Sequence, residues 1–176
     1  TVRGGAIYNN QAVDGGAAVY SSLFDLLIES NTVTHLGGGT LYGDLSNCTV
    51  RANVAGQRGG GVFSPTLVVN SRIMENECLG NGGGAFLNYG VVCNTLFKDN
   101  VAGTNGGGVH GYYGAELRNC TLVDNEASVQ GGGAFIEGNN NRVYNTIFWS
   151  NAAPSIANLG GSFAVSNSCS PDGLTN

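Results

Sequence analysis

The feature that most constrains this chain is a repeat of 22 to 26 residues, each carrying an asparagine followed six residues later by a run of glycines. The glycine runs begin at Gly37, Gly59, Gly82, Gly106 and Gly131. The asparagines are Asn31, Asn53, Asn76, Asn100, Asn125 and Asn151, the last without a glycine run at that distance. Self-similarity at such a period is the signature of a solenoid, in which each repeat is one turn.

The residues around each repeat asparagine favour strands over helices. An aliphatic or aromatic residue lies three positions upstream, at Ile28, Val50, Ile73, Phe97, Leu122 and Phe148. Glycine and asparagine in every repeat would destabilise a helix, whereas short apolar runs punctuated by them are typical of strands and turns. We therefore predict an all-β parallel β-helix of about seven turns, with three short strands per turn forming three parallel sheets.

Stacking of the turns assigns a role to each repeated position, because equivalent residues lie about 4.8 Å apart along the axis. The apolar set above should face inward, as should Val62, Ala85, Val109 and Ala134 after the glycines. Asparagine tolerates the left-handed conformation, and its amide can hydrogen-bond to the asparagine of the next turn. Two such ladders are predicted: the repeat asparagines, and a second set at Asn47, Asn70, Asn94, Asn119 and Asn145.

We predict a single domain over residues 1–176. Residues 1–8 would form an irregular cap or a partial turn, because the glycine spacing breaks after Gly4-Gly5. Residues 9–151 would form regular turns, and residues 152–176 an irregular last turn and tail.

Composition excludes several functions. The net charge is −5 with a single lysine, Lys98, which disfavours nucleic acid as a partner. No apolar run approaches the ~20 residues of a membrane-spanning helix, so this segment should not insert in a membrane. The five cysteines lack zinc-ligand spacing, and we predict Cys48 and Cys120 to be buried thiols. No signal peptide opens the sequence, so an extracellular or cell-surface location would depend on an export signal outside it.

An acidic column is the candidate for metal binding or catalysis. Glu75, Asp99 and Asp124 each precede a repeat asparagine, so three carboxylates could stack about 5 Å apart. Such a stack could bind calcium or share a proton, as the acid–base pairs of glycosidases do. Corner positions are ordinarily solvated, and no other cofactor is predicted.

A second candidate surface is a column one residue beyond the inward slot, consisting of Leu41, Phe63, Phe86, His110 and Phe135. If side chains alternate, this column faces outward as an aromatic strip about 20 Å long that could stack sugar rings or bind a partner. The alternative is that these rings are part of the core. In either case, His110 occupies an aromatic position. Lys98, Arg118 and Arg142 lie in different columns and form no convergent basic cluster for lyase chemistry.

The repeats resemble those of chlamydial polymorphic outer-membrane proteins, whose signatures are Gly-Gly-Ala-Ile and Phe-x-x-Asn. Gly4-Gly5-Ala6-Ile7 has the first, and residues 97–100 and 148–151 have the second. The C-terminal repeats also resemble those of anchored bacterial surface proteins in the pectate-lyase-like superfamily. This resemblance implies a right-handed β-helix and is compatible with adhesion, scaffolding or polysaccharide cleavage.

Two functions are therefore predicted. The first is a non-catalytic extracellular structural or adhesive module of a bacterial surface protein, which binds cell-surface glycans or copies of itself stacked end to end into fibres. The alternative is a polysaccharide-binding or polysaccharide-cleaving β-helix that uses the acidic corner.

Overall fold

Equivalent residues of successive repeats pair with one another in parallel strands, as the asparagine spacing predicts. The computed structural model describes residues 1–171 as a parallel β-solenoid of about seven turns with three parallel sheets. Four strand columns, rather than the predicted three, run along the solenoid. The additional column consists of two-residue strands immediately after the repeat asparagine, a segment too short to show alternation in the sequence.

The first column leads into the repeat asparagines and the second follows them. The first comprises β1 (Val2–Tyr8), the second half of β4 (Ser22–Glu29), β8 (Thr49–Arg51), β12 (Arg72–Met74), β16 (Leu96–Lys98), β20 (Thr121–Val123) and β24 (Ile147–Trp149). The second is a six-stranded sheet of β2 (Gln11–Ala12), β5 (Thr32–Val33), β9 (Val54–Ala55), β13 (Glu77–Cys78), β17 (Val101–Ala102) and β21 (Glu126–Ala127).

The third column follows the glycines and the fourth completes each turn. The third is a seven-stranded sheet of β3 (Ala18–Val19), β6 (Thr40–Leu41), β10 (Val62–Phe63), β14 (Ala85–Asn88), β18 (Val109–Tyr112), β22 (Ala134–Glu137) and β25 (Leu159–Gly161). The fourth is β7 (Asp44–Ser46), β11 (Leu67–Val69), β15 (Val91–Cys93), β19 (Glu116–Arg118), β23 (Arg142–Tyr144) and β26 (Ala164–Ser166). Strand β4 spans the first and fourth columns and joins them into one 13-stranded sheet.

The core runs along the axis and consists of the residues that the repeat predicts to face inward. The predicted inward positions of the first column and those after the glycines are fully buried. The fourth column adds Leu45, Val68, Val92, Leu117 and Val143. Cys48 and Cys120 are buried as predicted.

The repeat asparagines form the predicted ladder, which is buried. Each donates from Nδ2 to Oδ1 of the next, at 2.9–3.0 Å from Asn31 through Asn151. The ladder begins one turn earlier than the sequence suggested, because Asn10 donates to Asn31 at 2.8 Å. The spacing between rungs is 21, 22, 23, 24, 25 and 26 residues along the chain.

The conformational role of the two asparagine columns differs from the prediction. In the buried ladder, the left-handed residue is the one before each asparagine, such as Glu75 with φ 57°. The second column, Asn47 to Asn145, is left-handed as expected but exposed. Its amides are linked by hydrogen bonds of 3.0–3.2 Å from Asn70 to Asn145, and Asn47 donates to Asp25.

The two ends are more regular than the sequence indicated. Residues 2–8 form a strand of a partial turn, with Ile7 paired to Ile28, so Gly4-Gly5 lie in this strand and do not correspond to the glycine corner. The glycine corner of that turn is at Gly15, one residue closer to Asn10 than in later turns, so the repeat does not break there. At the other end, β25 and β26 continue the register of β22 and β23. Residues 172–176 of the predicted tail lie outside the described residues.

Candidate functional site: an exposed tyrosine row

The carboxylates of the acidic column are exposed at their corner and lie beside a lysine. Glu75, Asp99 and Asp124 are exposed and left-handed, and Lys98 Nζ lies 2.6 Å from Asp99 and 3.7 Å from Asp124. Its hydrogen bond and charge interaction with Asp99 raise the pKa of Lys98. Across residues 1–171, no group of three or more His, Cys, Asp or Glu side chains is placed to hold a metal ion. The calcium site suggested by the sequence is therefore not supported by the geometry.

The predicted aromatic strip is not an open surface. Leu41, Phe63 and Phe86 are only 5–8% exposed and form a cluster separate from the main core, while His110 is 2% exposed and Phe135 is partly buried. Alternation holds, since these side chains point away from the core. The glycine corner folds back over them, with Leu36 packed on the cluster and the Arg58 guanidinium 5.0 Å from the Phe86 ring centre. Alternation of side chains along a strand shows which residues face outward, but it does not show that a neighbouring corner packs over them.

His110 occupies an aromatic position, as predicted, and is also hydrogen-bonded. Its ring stacks on Phe86 at 4.9 Å between centroids and lies 5.7 Å from Phe135. Nε2 lies 3.1 Å from Oε1 of Glu137, whereas Nδ1 is buried without a partner. Burial lowers the pKa of the imidazole, and the nearby Glu137 carboxylate opposes that shift.

The buried imidazole makes stability pH-dependent. The folded protein binds a proton at His110 less readily than the unfolded chain does. The neutral imidazole therefore contributes fully to the unfolding free energy above about pH 6.5. This contribution is lost as the pH falls from there through the lower pKa that His110 has in the folded protein. Urea denaturation between about pH 7.5 and pH 5 should show this loss. In His110→Phe, which restores the aromatic residue of the neighbouring turns, the loss should be absent. The exposed His35→Asn should behave as wild type, and an unchanged slope in His110→Phe would contradict the assignment.

The corner between the third and fourth columns is the part of the repeat that varies in length. The residues between the positions of Val19 in the third column and Ser22 in the fourth are 20–21, 42–43, 64–66, 87–90, 111–115 and 136–141 in successive turns, the last three segments including the ends of β14, β18 and β22. We call this the variable corner; it grows from two residues to six. Its growth accounts for the ladder spacing rising from 22 to 26 residues. A loop that varies on a rigid scaffold is where binding residues are expected.

The variable corner carries most of the exposed aromatic side chains. Five of the seven tyrosines lie there: Tyr20, Tyr42, Tyr89, Tyr112 and Tyr113. Their exposed fractions are 77%, 40%, 68%, 36% and 36% respectively. Tyr20, Tyr42, Tyr89 and Tyr113 are left-handed, with φ between 44° and 62°. Tyr112 is the last residue of β18. We call these five residues the tyrosine row.

Neighbouring rings of the tyrosine row stack in two groups. Tyr20 and Tyr42 stack at 4.9 Å between centroids. Tyr89 and Tyr113 stack at 6.2 Å, and Tyr112 meets Tyr113 edge-on at 4.3 Å. Tyr42 also contacts the buried Phe63 at 5.7 Å, edge to face, so the row rests on the aromatic cluster beneath it. This packing reduces the rotamer freedom that ligand binding would otherwise have to remove.

The charged groups near the tyrosine row already have partners within the protein. Glu137 Oε1 accepts a hydrogen bond from Nε2 of His110, and the Arg58 guanidinium lies over the Phe86 ring. Asp44 accepts hydrogen bonds from the backbone of residues 66 and 67 at 2.9 and 2.8 Å. The hydrogen bond with Tyr113 raises the pKa of Tyr112, so its phenol is neutral at neutral pH. The row therefore presents an amphipathic surface of phenol rings with hydrogen-bonded carboxylates beside it.

The other titratable groups offer no comparable site. Arg118 pairs with Glu116, and Lys98 with the acidic column, so the basic residues remain dispersed as the sequence indicated. Burial raises the pKa of Cys78 to about 11 and that of Cys120 to about 12, so neither thiol is a nucleophile at neutral pH. A shallow groove of about 350 Å³ follows the exposed asparagines near Asn70, but their amides are largely engaged with one another.

Sequence reasoning missed the tyrosine row. Two signals could have identified it: the growth of the repeat by one residue per turn, and the recurrence of tyrosine shortly after the aromatic column. The growth of the repeat is visible in the sequence only as a spread of repeat lengths. The tyrosines do not fall at one fixed distance from the repeat asparagine, because the corner lengthens from turn to turn.

These features place the protein in the class of parallel β-helices, with most of its exposed aromatic residues at one corner. The sequence model for the right handed beta helix region matches residues 1–148, and the chain belongs to that family. The family contains both enzymes and non-enzymes, so membership establishes the fold and leaves the activity open. No curated protein and no solved structure shows significant sequence similarity to the chain. The described residues contain no helix that is long and apolar enough to cross a membrane.

Proposed function

We propose that this β-helix is a non-catalytic, extracellular glycan-binding module, and that its tyrosine row binds a neutral polysaccharide. The observation that carries the proposal is the position of the row: five exposed tyrosines lie at the corner where the turns differ in length. Aromatic rings with a polar edge suit a ligand that has apolar faces and a hydroxyl rim, which is the surface of a pyranose.

The charge of the protein favours a neutral glycan over an acidic one. The net charge is −5, and the nearest cation, Arg58, is held over Phe86. A polyuronate would meet no free cation along the tyrosine row and would be repelled by the protein as a whole. The turns also repeat at about 4.8 Å, which is close to the advance of one sugar in an extended chain.

The acidic column supports the alternative, polysaccharide cleavage, less well. Its carboxylates are solvent-exposed at a corner, and Lys98 Nζ lies 2.6 Å from Asp99 and 3.7 Å from Asp124. The general acid of a glycosidase ordinarily lies in a site shielded from solvent, whereas these carboxylates are exposed. End-to-end assembly and cell-surface attachment remain predictions from the sequence.

Binding to neutral hexasaccharides tests the proposal. Isothermal titration with linear β-1,4-glucan, xylan and mannan hexamers should detect binding of at least one, and polygalacturonate should bind more weakly. Tyr42→Ala with Tyr89→Ala should weaken that binding by roughly tenfold or more, since two ring contacts are removed. Tyr8→Ala removes an exposed tyrosine outside the row and should leave the affinity unchanged.

Two results would refute the proposal. One is that none of the neutral hexasaccharides binds to the wild-type protein. The other is that the double tyrosine variant, with an unchanged melting temperature, binds as tightly as wild type.

A further inference from the structure

The tyrosine row ends beside a groove. Tyr112 pairs with Glu137 of the next turn, so Gly138 lies beside Tyr113. A β-carbon at residue 138 would lie 2.6 Å from Cδ1 of Tyr113, and glycine at this position leaves room for the ring. Gly138 also lines a groove of about 390 Å³. We call it the end groove, because it lies where the row of rings stops.

The end groove lies where the variable corner shortens. The corner occupies residues 136–141 in one turn and only residues 161–163 in the next, between the same strand positions. A long loop beside a shorter one leaves a recess, and residues of both corners line it. The end groove is therefore a product of the same variation in length that distinguishes this corner from the rest of the repeat.

The longer corner is held in place by a buried asparagine. Asn141 is 3% exposed, and its Nδ2 lies 3.0–3.2 Å from the carbonyl oxygens of Glu137, Gly138 and Ser162. Its Oδ1 accepts a hydrogen bond of 2.9 Å from the backbone of Ala115. These contacts tie the corner to the turns before and after it. A ligand in the end groove would therefore not have to order this wall.

Two asparagines of this corner have side chains that are free to bind a ligand. Asn139 and Asn140 line the end groove and are exposed, and within residues 1–171 neither side-chain amide has a hydrogen-bond partner. The amides of the exposed asparagine column, by contrast, bond to one another from Asn70 to Asn145. Each free amide offers both donors and an acceptor, which is the combination that neighbouring sugar hydroxyls require.

The other side of the end groove supplies an aromatic ring. Phe163 lines the groove and packs partly against the core, so its position is fixed. An aromatic surface beside amide groups suits a pyranose, which has apolar faces and a hydroxyl rim. Arg142 also lines the groove and can donate to hydroxyls. Its strand partner is Glu116, whose opposite charge offsets part of the attraction for an acidic sugar.

We propose that the end groove is the subsite that selects the sugar, in which Asn139 and Asn140 hydrogen-bond the hydroxyls of one pyranose packed beside Phe163. The proposal rests on the glycan-binding function above and deepens it. Aromatic rings provide contact area to any pyranose face, whereas a few fixed polar groups give a site its specificity. The tyrosine row then supplies much of the affinity, and the end groove determines which neutral glycan binds best.

Removing the two amides tests this assignment. Asn139→Ala with Asn140→Gly deletes both, and glycine keeps the left-handed conformation of residue 140, whose φ is 65°. Titration calorimetry should show the affinity for the best neutral hexasaccharide falling by roughly tenfold or more. The affinities for the other two should fall less, so the preference narrows. Asn9→Gly replaces an exposed, left-handed asparagine outside the groove, with φ 56°, and should match wild type.

The outcomes separate this subsite from the general function. If the double tyrosine variant loses binding but the double asparagine variant, with an unchanged melting temperature, stays within about threefold of wild type, the subsite is wrong and the tyrosine row stands. A loss by the same factor for all three hexasaccharides would show that the amides do not select the sugar, which also contradicts the proposal. Failure of wild type to bind any of them would overturn both the subsite and the glycan-binding function.

Discussion

Asn100→Ala is expected to lower the unfolding free energy by roughly 3–5 kcal/mol, because it breaks the buried ladder at its centre. Asn100 Nδ2 donates to Ile73 O and Asn125 Oδ1, each at 2.9 Å. Its Oδ1 accepts the backbone and side-chain N–H groups of Asn76 at 3.1 and 3.0 Å. Alanine would leave several of these groups buried without partners. Urea denaturation followed by circular dichroism measures the loss.

The exposed asparagine column supplies a matched control for this variant. Asn94 lies in the same turn and exchanges one side-chain hydrogen bond with each neighbour, at 3.2 Å, in contact with water. Asn94→Ala should cost about 1 kcal/mol, mainly because alanine is less favourable than asparagine in the left-handed conformation. Equal losses in the two variants would show that the ladder does not stabilise the fold through its buried hydrogen bonds.

Gly107→Ala is expected to cost roughly 3 kcal/mol or more, or to prevent folding, because two backbone segments of the next turn lie against this position. A β-carbon at residue 107 would lie 2.3 Å from the carbonyl oxygen of Glu126 and 2.4 Å from that of Gly132. Neither oxygen can move without displacing a strand. The melting temperature and the yield of soluble protein both report the effect.

Gly4→Ala controls for the general effect of replacing glycine. Nothing lies within 4 Å of a β-carbon at residue 4, although its φ of 68° is left-handed. The expected cost is about 1 kcal/mol. A Gly107→Ala variant as stable as Gly4→Ala would contradict the close stacking of the glycine corners.

The sequence predicted the fold well wherever one residue type repeats at one position. Asn53 to Asn125 stack in a single file, each amide hydrogen-bonded to the next. Val50 and Leu122 are buried, and the same position is apolar in every turn. Periodicity also predicted parallel sheets correctly. It failed at Asn10, where a corner one residue shorter concealed the first rung.

The candidate surface was harder to predict, because exposure depends on what covers a strand. Phe63 points away from the core, as alternation requires, yet the glycine corner buries it. Tyr89 lies three residues after Phe86, the equivalent of Phe63 in the next turn, and is exposed on a corner whose length changes from turn to turn. Because the corner changes in length, its residues have no constant position in an alignment of the repeats. The residues proposed to bind a ligand are therefore the ones that the repeat pattern predicts least well.

The growth of the variable corner links the architecture to the proposed function. The ladder and the glycine corner keep the remainder of each turn constant, so a longer corner can be added without altering the core. Added residues can therefore change the positions of the Tyr89 and Tyr113 rings relative to those of Tyr20 and Tyr42 while the scaffold stays rigid.

Chemical-shift mapping tests directly whether the tyrosine row is the glycan-binding surface. The isotope-labelled protein is titrated with the neutral hexasaccharide that binds most tightly. We expect perturbations concentrated at residues 20, 42, 87–90 and 111–113, in the tyrosine row, and at residues 139 and 140 of the end groove. Perturbations centred instead on Asp99 and Asp124, or on the exposed asparagine column from Asn47 to Asn145, would contradict the proposal.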